Sequence, residues 1–168
     1  MQKYPQVLMR RINIDHVGGY DNTRCVRIRD EGNKTTMTYK QVWNWTTITG
    51  ISEIEIEISD FEKTIAIFEW LGIPVRNYQE TKREKRIIKT KTGEIELCID
   101  LRPGCPEFLE IEWPNKEITE SIATQLWFDI EVWFFGTADF MYEMLGICSR
   151  DELNHWKELK FDNYPLKK

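Results

Sequence analysis

Glu53-Ile54-Glu55-Ile56-Glu57-Ile58 is the stretch that decides the fold. Successive side chains of a strand point to opposite faces, so this run sets its glutamates on one face and its isoleucines on the other. The alternation returns in Arg27-Ile28-Arg29, in Glu94-Ile95-Glu96-Leu97-Cys98-Ile99-Asp100 and in Glu110-Ile111-Glu112. One such strand describes an ordinary solvated sheet. Several, carrying both signs of charge, describe a sheet whose charged face binds something.

Outward from that stretch, the pattern predicts strands over 7–14, 24–30 and 34–41. Glu31-Gly32-Asn33-Lys34 turns the last two into a hairpin. Residues 42–50 read as a loop, followed by the strand at 52–58. Ser59-Asp60 offers a cap to a helix over 61–71, with Phe61, Ile65, Phe68 and Leu71 at helical spacing and Gly72 as its stop. Strands resume at 81–90, 94–101 and 107–113. The remainder, about 115–160, reads as helical, with Ile118, Ile122, Leu126 and Phe128 in one segment and Ala138, Met141, Tyr142 and Leu145 in another. Ser149-Arg150-Asp151-Glu152 starts a last helix with Leu153, Trp156 and Leu159 on one face. Mostly antiparallel strands, one inserted helix, more strands and then helices make an α+β pattern in a single domain.

The chain has 168 residues, 41% of them hydrophobic and 12% aromatic, enough for one domain with a substantial core. A net charge of −5 opposes non-specific nucleic-acid binding, and no duplex partner is expected. Cys25, Cys98, Cys105 and Cys148 show no CxxC spacing and read as reduced thiols of a cytoplasmic protein. Asp129 and Glu131 interrupt the longest apolar patch, so no membrane-spanning helix is expected.

Alternation assigns the charged faces. Arg27 and Arg29 share one with Cys25. Thr36, Thr38 and Lys40 share another, as do Glu53, Glu55 and Glu57. Arg83 goes with Lys85, Glu94 and Glu96 with Asp100, and Glu110 with Glu112. Lys82 and Arg86 fall on the opposite, solvated side. The apolar faces, with Ile28, Ile54, Ile56, Ile95, Leu97 and Ile111 among them, need helix 61–71 and the C-terminal helices as a cover. If the sheet closes, the charged faces line a wet tunnel.

Arg27, Arg29, Lys40, Arg83 and Lys85 suit an oligophosphate chain, because a guanidinium grips phosphate oxygens in pairs and an ammonium acts as a point charge. Carboxylates make sense beside phosphate when they hold a divalent cation such as Mg²⁺ or Mn²⁺. Glu110 and Glu112 point the same way and can serve one such site, where the ion polarises phosphoryl oxygens or activates water. The plainer alternative is that Arg27 and Arg29 pair with Glu53 or Glu55 across strands, each pair contributing about 0–1 kcal/mol. His16 and His155 have no metal-ligand spacing. Trp43 and Trp45, in a loop, could meet a base.

In the order Cys25-Val26-Arg27-Ile28-Arg29-Asp30-Glu31-Gly32, Thr38-Tyr39-Lys40, Glu53-Ile54-Glu55-Ile56-Glu57, Leu71-Gly72, Arg83-Glu84-Lys85, Leu97-Cys98-Ile99-Asp100 and Phe108-Leu109-Glu110-Ile111-Glu112, the chain resembles the CYTH family of triphosphate tunnel proteins. That family includes class IV adenylate cyclases and thiamine triphosphatases. The resemblance implies an antiparallel β-barrel with helices packed outside. Its basic residues, here Arg27, Arg29, Lys40, Arg83 and Lys85, would bind a triphosphate. Its acids, here Glu110 and Glu112 with Glu55 and Asp100 in support, would bind Mg²⁺ or Mn²⁺, and Glu110 and Glu112 would be catalytic. The expected partner is a triphosphate or nucleotide, and the reaction hydrolysis or cyclisation. The alternative is a catalytically inactive protein that binds or sequesters a phosphorylated ligand. The chain departs from the family at its N-terminus, where no ExExK strand precedes Arg27. The tunnel is then expected to be incomplete or partly open, or to be closed by a partner strand as in a homodimer.

Overall fold

The computed structural model describes residues 1–19, 21, 23–44, 50–90, 93–112, 116–127 and 139–164, apart from the side chains at 112 and 116. Its strands are β1 (Gln2–Lys3), β2 (Val7–Ile14), β3 (Arg24–Asp30), β4 (Thr35–Val42), β5 (Ile51–Ile58), β6 (Val75–Thr90), β7 (Gly93–Leu101), β8 (Phe108–Glu112) and β9 (Glu158–Leu159). Its helices are α1 (Phe61–Trp70), α2 (Lys116–Gln125), α3 (Phe140–Met144) and α4 (Arg150–His155).

One sheet runs β5-β4-β3-β2-β6-β7-β8, antiparallel at every step, and curves into a half-barrel. Strand β6 is its spine. One side of β6 pairs with β1 and then β2; the other pairs with β7 and then, in parallel, with β9. Among the described residues β5 and β8 end the sheet without pairing to each other, which is the partly open barrel that the missing acidic strand led us to expect.

The apolar face forms the outside. Ile12 and Ile28 sit opposite each other on β2 and β3 and pack with Ile14 against Phe61 and Ile65 of α1. The Asp60 side chain caps α1 by accepting from the Lys63 amide at 2.9 Å. At the other end the amide of Gly72 reaches the Glu69 carbonyl and that of Ile73 the Phe68 carbonyl, a Schellman motif. Gly72 has φ of +71°, a conformation that costs any residue with a Cβ. Helix α2 covers the same face further along, where Ile118, Ile122 and Leu126 with Ile88 and Ile95 line a cleft of about 340 Å³. A second core joins Tyr142, Leu153 and Leu159 to Cys105, and the Tyr142 hydroxyl donates to the Pro103 carbonyl at 2.7 Å.

The expected elements recur with three corrections. Strand β6 starts at Val75, not 81, because its first half pairs with β2. Helix α4 stops at His155, and Leu159 belongs to β9, opposite Gln79, not to a helix face. The short strand β1 was not foreseen. Trp43 is exposed, while Trp45, Trp113 and Phe128 lie outside the described residues.

Candidate functional site

Register brings the charged faces together. Asn13 and Arg11 of β2 oppose Arg27 and Arg29 of β3, which oppose Thr38 and Thr36 of β4; these in turn oppose Glu55 and Glu57 of β5. Cys25, Lys40 and Glu53 continue the same face one step along. On the other flank Arg83 opposes Asp100, and Lys85 opposes Cys98, which opposes Glu110; Glu96 opposes residue 112. Directly paired residues share a face, so the candidates Arg27, Arg29, Lys40, Glu55, Arg83, Lys85, Asp100 and Glu110 all lie on one surface. The opposite face is covered by α1 and α2 but not along β5, where Ile54 and Ile56, expected to be covered, are exposed. The backbone of Glu112 is on the same register, and its side chain lies outside the description. Lys82 and Arg86 turn to the other face as expected, but half-buried rather than solvated. Lys82 lies 4.5 Å from the Phe161 ring centre, and Arg86 meets Glu84 at 2.6 Å.

The two flanks differ in how their charges are matched. On the β6–β8 flank Arg83 makes a fork with Asp100, both contacts 2.7 Å, and its Nη2 also meets Glu110 at 2.6 Å. Burial works against the Arg83 charge, and the two carboxylates more than offset it, raising its pKa. Burial also raises the Asp100 carboxyl, against the pull of Arg83. Lys85 meets Glu96 at 2.7 Å.

On the β3–β5 flank Lys40 meets Glu53 at 2.7 Å, and Arg29 meets Glu31 at 2.5 Å. Arg27 is less well matched. Its Nη2 stands 3.9 Å from Glu55, whose carboxylate instead accepts the Thr38 hydroxyl at 2.7 Å. Burial, and then the like charge of Arg29, lower the Arg27 pKa. The Nε atoms of Arg27 and Arg29 and the Thr36 hydroxyl are buried with no hydrogen-bond partner among the described residues. Two adjacent guanidiniums with donors to spare are an anion-binding arrangement.

Sequence reasoning missed a third cluster. Arg11 and the fully buried Arg102 both donate to Gln79 Oε1 and to Asp139 Oδ1. The Arg10-Arg11 doublet carries no signal for which of the two faces inward. Arg10 goes to the outer face, where it meets Asp30 and Glu62.

A site for the divalent cation implied by the resemblance depends on which oxygen donors converge. Asp100 and Glu110 converge, but on Arg83. Glu55 lies on β5, at the opposite end of the strand order. Among the described residues no three carboxylate, thiol or imidazole groups come together as a metal site. The inward positions of β2 at the spacing of an ExExK strand are Val7, Met9 and Arg11, so β2 adds a cation and no acid. As the described side chains stand, they do not fit a divalent ion. His16 and His155 take no part. His16 Nδ1 accepts the Gly18 amide, and His155 meets the Asp151 carbonyl.

Several solved structures share the fold. The PH1819 protein of Pyrococcus horikoshii OT3 is 19% identical, with a TM-score of 0.59 over 86% of this chain and 88% of that one. The PH1012 protein of the same organism is 23% identical, with a TM-score of 0.57 over 77% and 79%. HpAC1 from Hippeastrum, named an adenylyl cyclase with a dominant triphosphatase activity, is 16% identical, with a TM-score of 0.53 over 91% and 88%. No curated protein matches. The family model of the CYTH domain matches residues 19–138, most of the strands and the whole β3–β5 flank, and the chain belongs to the CYTH-domain family.

Proposed function

We propose that the charged face binds a small molecule carrying a triphosphate. The observation that carries this reading is the Arg27–Arg29 pair, half-buried on the inner face with buried, partnerless Nε donors and a distant acid at Arg27. A phosphate chain laid along β3 would meet both guanidiniums, and Lys40 lies one step further on the same face. Each charge-assisted hydrogen bond contributes about 1.5–3 kcal/mol when its partner is an ion.

Hydrolysis or cyclisation of the bound triphosphate is a second reading, favoured by the triphosphatase activity named for the fold-sharing Hippeastrum protein. No step through Mg²⁺ or Mn²⁺ is assigned, because Arg83 holds Asp100 and Glu110. Among the described residues no cysteine is in a disulfide, which suits the reducing cytoplasm we propose as its compartment.

Calorimetry with tripolyphosphate, ATP, GTP, thiamine triphosphate and cyclic nucleotides tests the binding reading. Release of orthophosphate or pyrophosphate from the same mixtures scores turnover. Binding of the triphosphates is expected. No heat from any of them would overturn the proposal.

A further inference from the structure

The acidic and basic halves of the inner face do not play equal parts. Asp100 and Glu110 spend their inward oxygens on one guanidinium. Both Asp100 oxygens and Glu110 Oε2 lie within 2.7 Å of Arg83 nitrogens. The arrangement is built in. Asp100 is 4% exposed, and the Arg83 side chain is 14% exposed. Strand β2 brings no carboxylate there, since Val7 stands directly across from Arg83 and Met9 across from Thr81. One cation therefore sits where the two acids converge, and its fork geometry suits carboxylates better than a loosely held solvent ion would. A divalent ion would have to displace Arg83 and leave a buried guanidinium unmatched, a costly exchange.

We propose that Arg83 is this chain's resident counter-ion to the Asp100–Glu110 pair, so that a phosphate chain binds at Arg27, Arg29 and Lys40 without a divalent cation. The inference rests on the phosphate-binding reading above. It makes Arg83 a positioning residue: it neutralises the acidic flank that would otherwise repel the ligand, and its charge is spent there rather than on phosphate. Lys85 on Glu96 extends the same neutralisation by one step along β6 and β7.

Two measurements test it. Tripolyphosphate is titrated into the full chain with a strong chelator present, and again with Mg²⁺ in excess. Affinity with chelator within about threefold of that with Mg²⁺ is expected. Binding seen only with Mg²⁺ would overturn the inference and leave the phosphate-binding reading standing. Binding in neither would overturn that reading, and this inference with it. In the second measurement, Mn²⁺ alone is added and its free-ion paramagnetic resonance signal is followed. The wild-type chain is expected to leave the signal unchanged, and Arg83→Gln, which frees both carboxylates, to reduce it. Stoichiometric uptake of Mn²⁺ by the wild type would overturn the inference whether or not the variant folds. A folded Arg83→Gln that takes up no Mn²⁺ would overturn the role given to Arg83.

Discussion

Arg27 and Arg29 share a buried Nε donor that nothing accepts among the described residues, and Arg27 also lacks a close acid, although Arg29 meets Glu31. Lys40, Lys85 and Arg83 each meet a carboxylate at 2.7 Å or less, whereas Arg27 stands 3.9 Å from its nearest acid. Loss of one charge-assisted contact of about 1.5–3 kcal/mol corresponds to a tenfold to hundredfold loss of affinity. Arg27→Ala is expected to weaken tripolyphosphate binding by about that factor, while Lys82→Ala, on the opposite face, leaves it unchanged; calorimetry on both checks this. Arg102 makes a different prediction. It is fully buried, and its contacts join Gln79 of the sheet to Asp139 beside α3. Removing one partner from such a buried network typically costs about 3 kcal/mol, so Arg102→Ala should lower the urea midpoint steeply. Neither Arg11 nor Arg102 was legible as a site residue. An arginine in a doublet, or one just before a Pro-Gly turn, declares its face only once its neighbours in space are known.

At the scale of elements, local chemistry spoke clearly where it was local. The Asp60 cap, the apolar spacing and Gly72 were enough to bound α1, and the structure closes it with the Schellman bonds that Gly72 permits. Gly72→Ala forces a Cβ into the left-handed region and is expected to cost about 1–2 kcal/mol in chemical denaturation. The β3–β4 hairpin carries a pH prediction. Burial opposes ionisation of Asp30, but the Gly32 amide at 2.8 Å and Arg10 at 2.9 Å more than offset it and lower its pKa. A carboxyl lowered on folding stabilises above its unfolded value of about 3.9, and that contribution disappears as pH falls through the folded value. Asp30→Asn should therefore lose stability at pH 7 and show a shallower decline on acidification, as urea midpoints across the range would reveal. The first half of β6 was illegible for the converse reason. Its inward residues Asn77 and Gln79 are polar yet fully buried; Asn13 and the Leu153 carbonyl bond Asn77, and Arg11 and Arg102 donate to the Gln79 oxygen, while Gln79 Nε2 has no partner among the described residues. In the sequence they look like a loop, because nothing nearby announces those partners.

Across the whole molecule the half-barrel exposes a face that carries more charge than its own pairs neutralise evenly. A ligand that binds only the folded state stabilises it by about 2.7 kcal/mol at a hundred times its Kd. Tripolyphosphate should thus raise Tm in a concentration-dependent way, and added salt should blunt the rise as screening shortens the reach of these charges. A Tm insensitive to tripolyphosphate at any salt would contradict the proposed site.

The sequence by itself determined which residues share a face and which face is charged, because alternation along a strand is a local property of the backbone. It also determined the ends of α1 and the cationic pair on β3. Only the tertiary structure decided which charges meet. Pairing across strands depends on register, and register is set by the apolar packing of Ile12, Ile28 and α1 on the far side of the sheet. That register lays Asp100 and Glu110 on Arg83 and leaves Arg27 without a close acid. Glu53-Ile54-Glu55 could say that carboxylates line this face; it could not say that those on the far flank were already occupied.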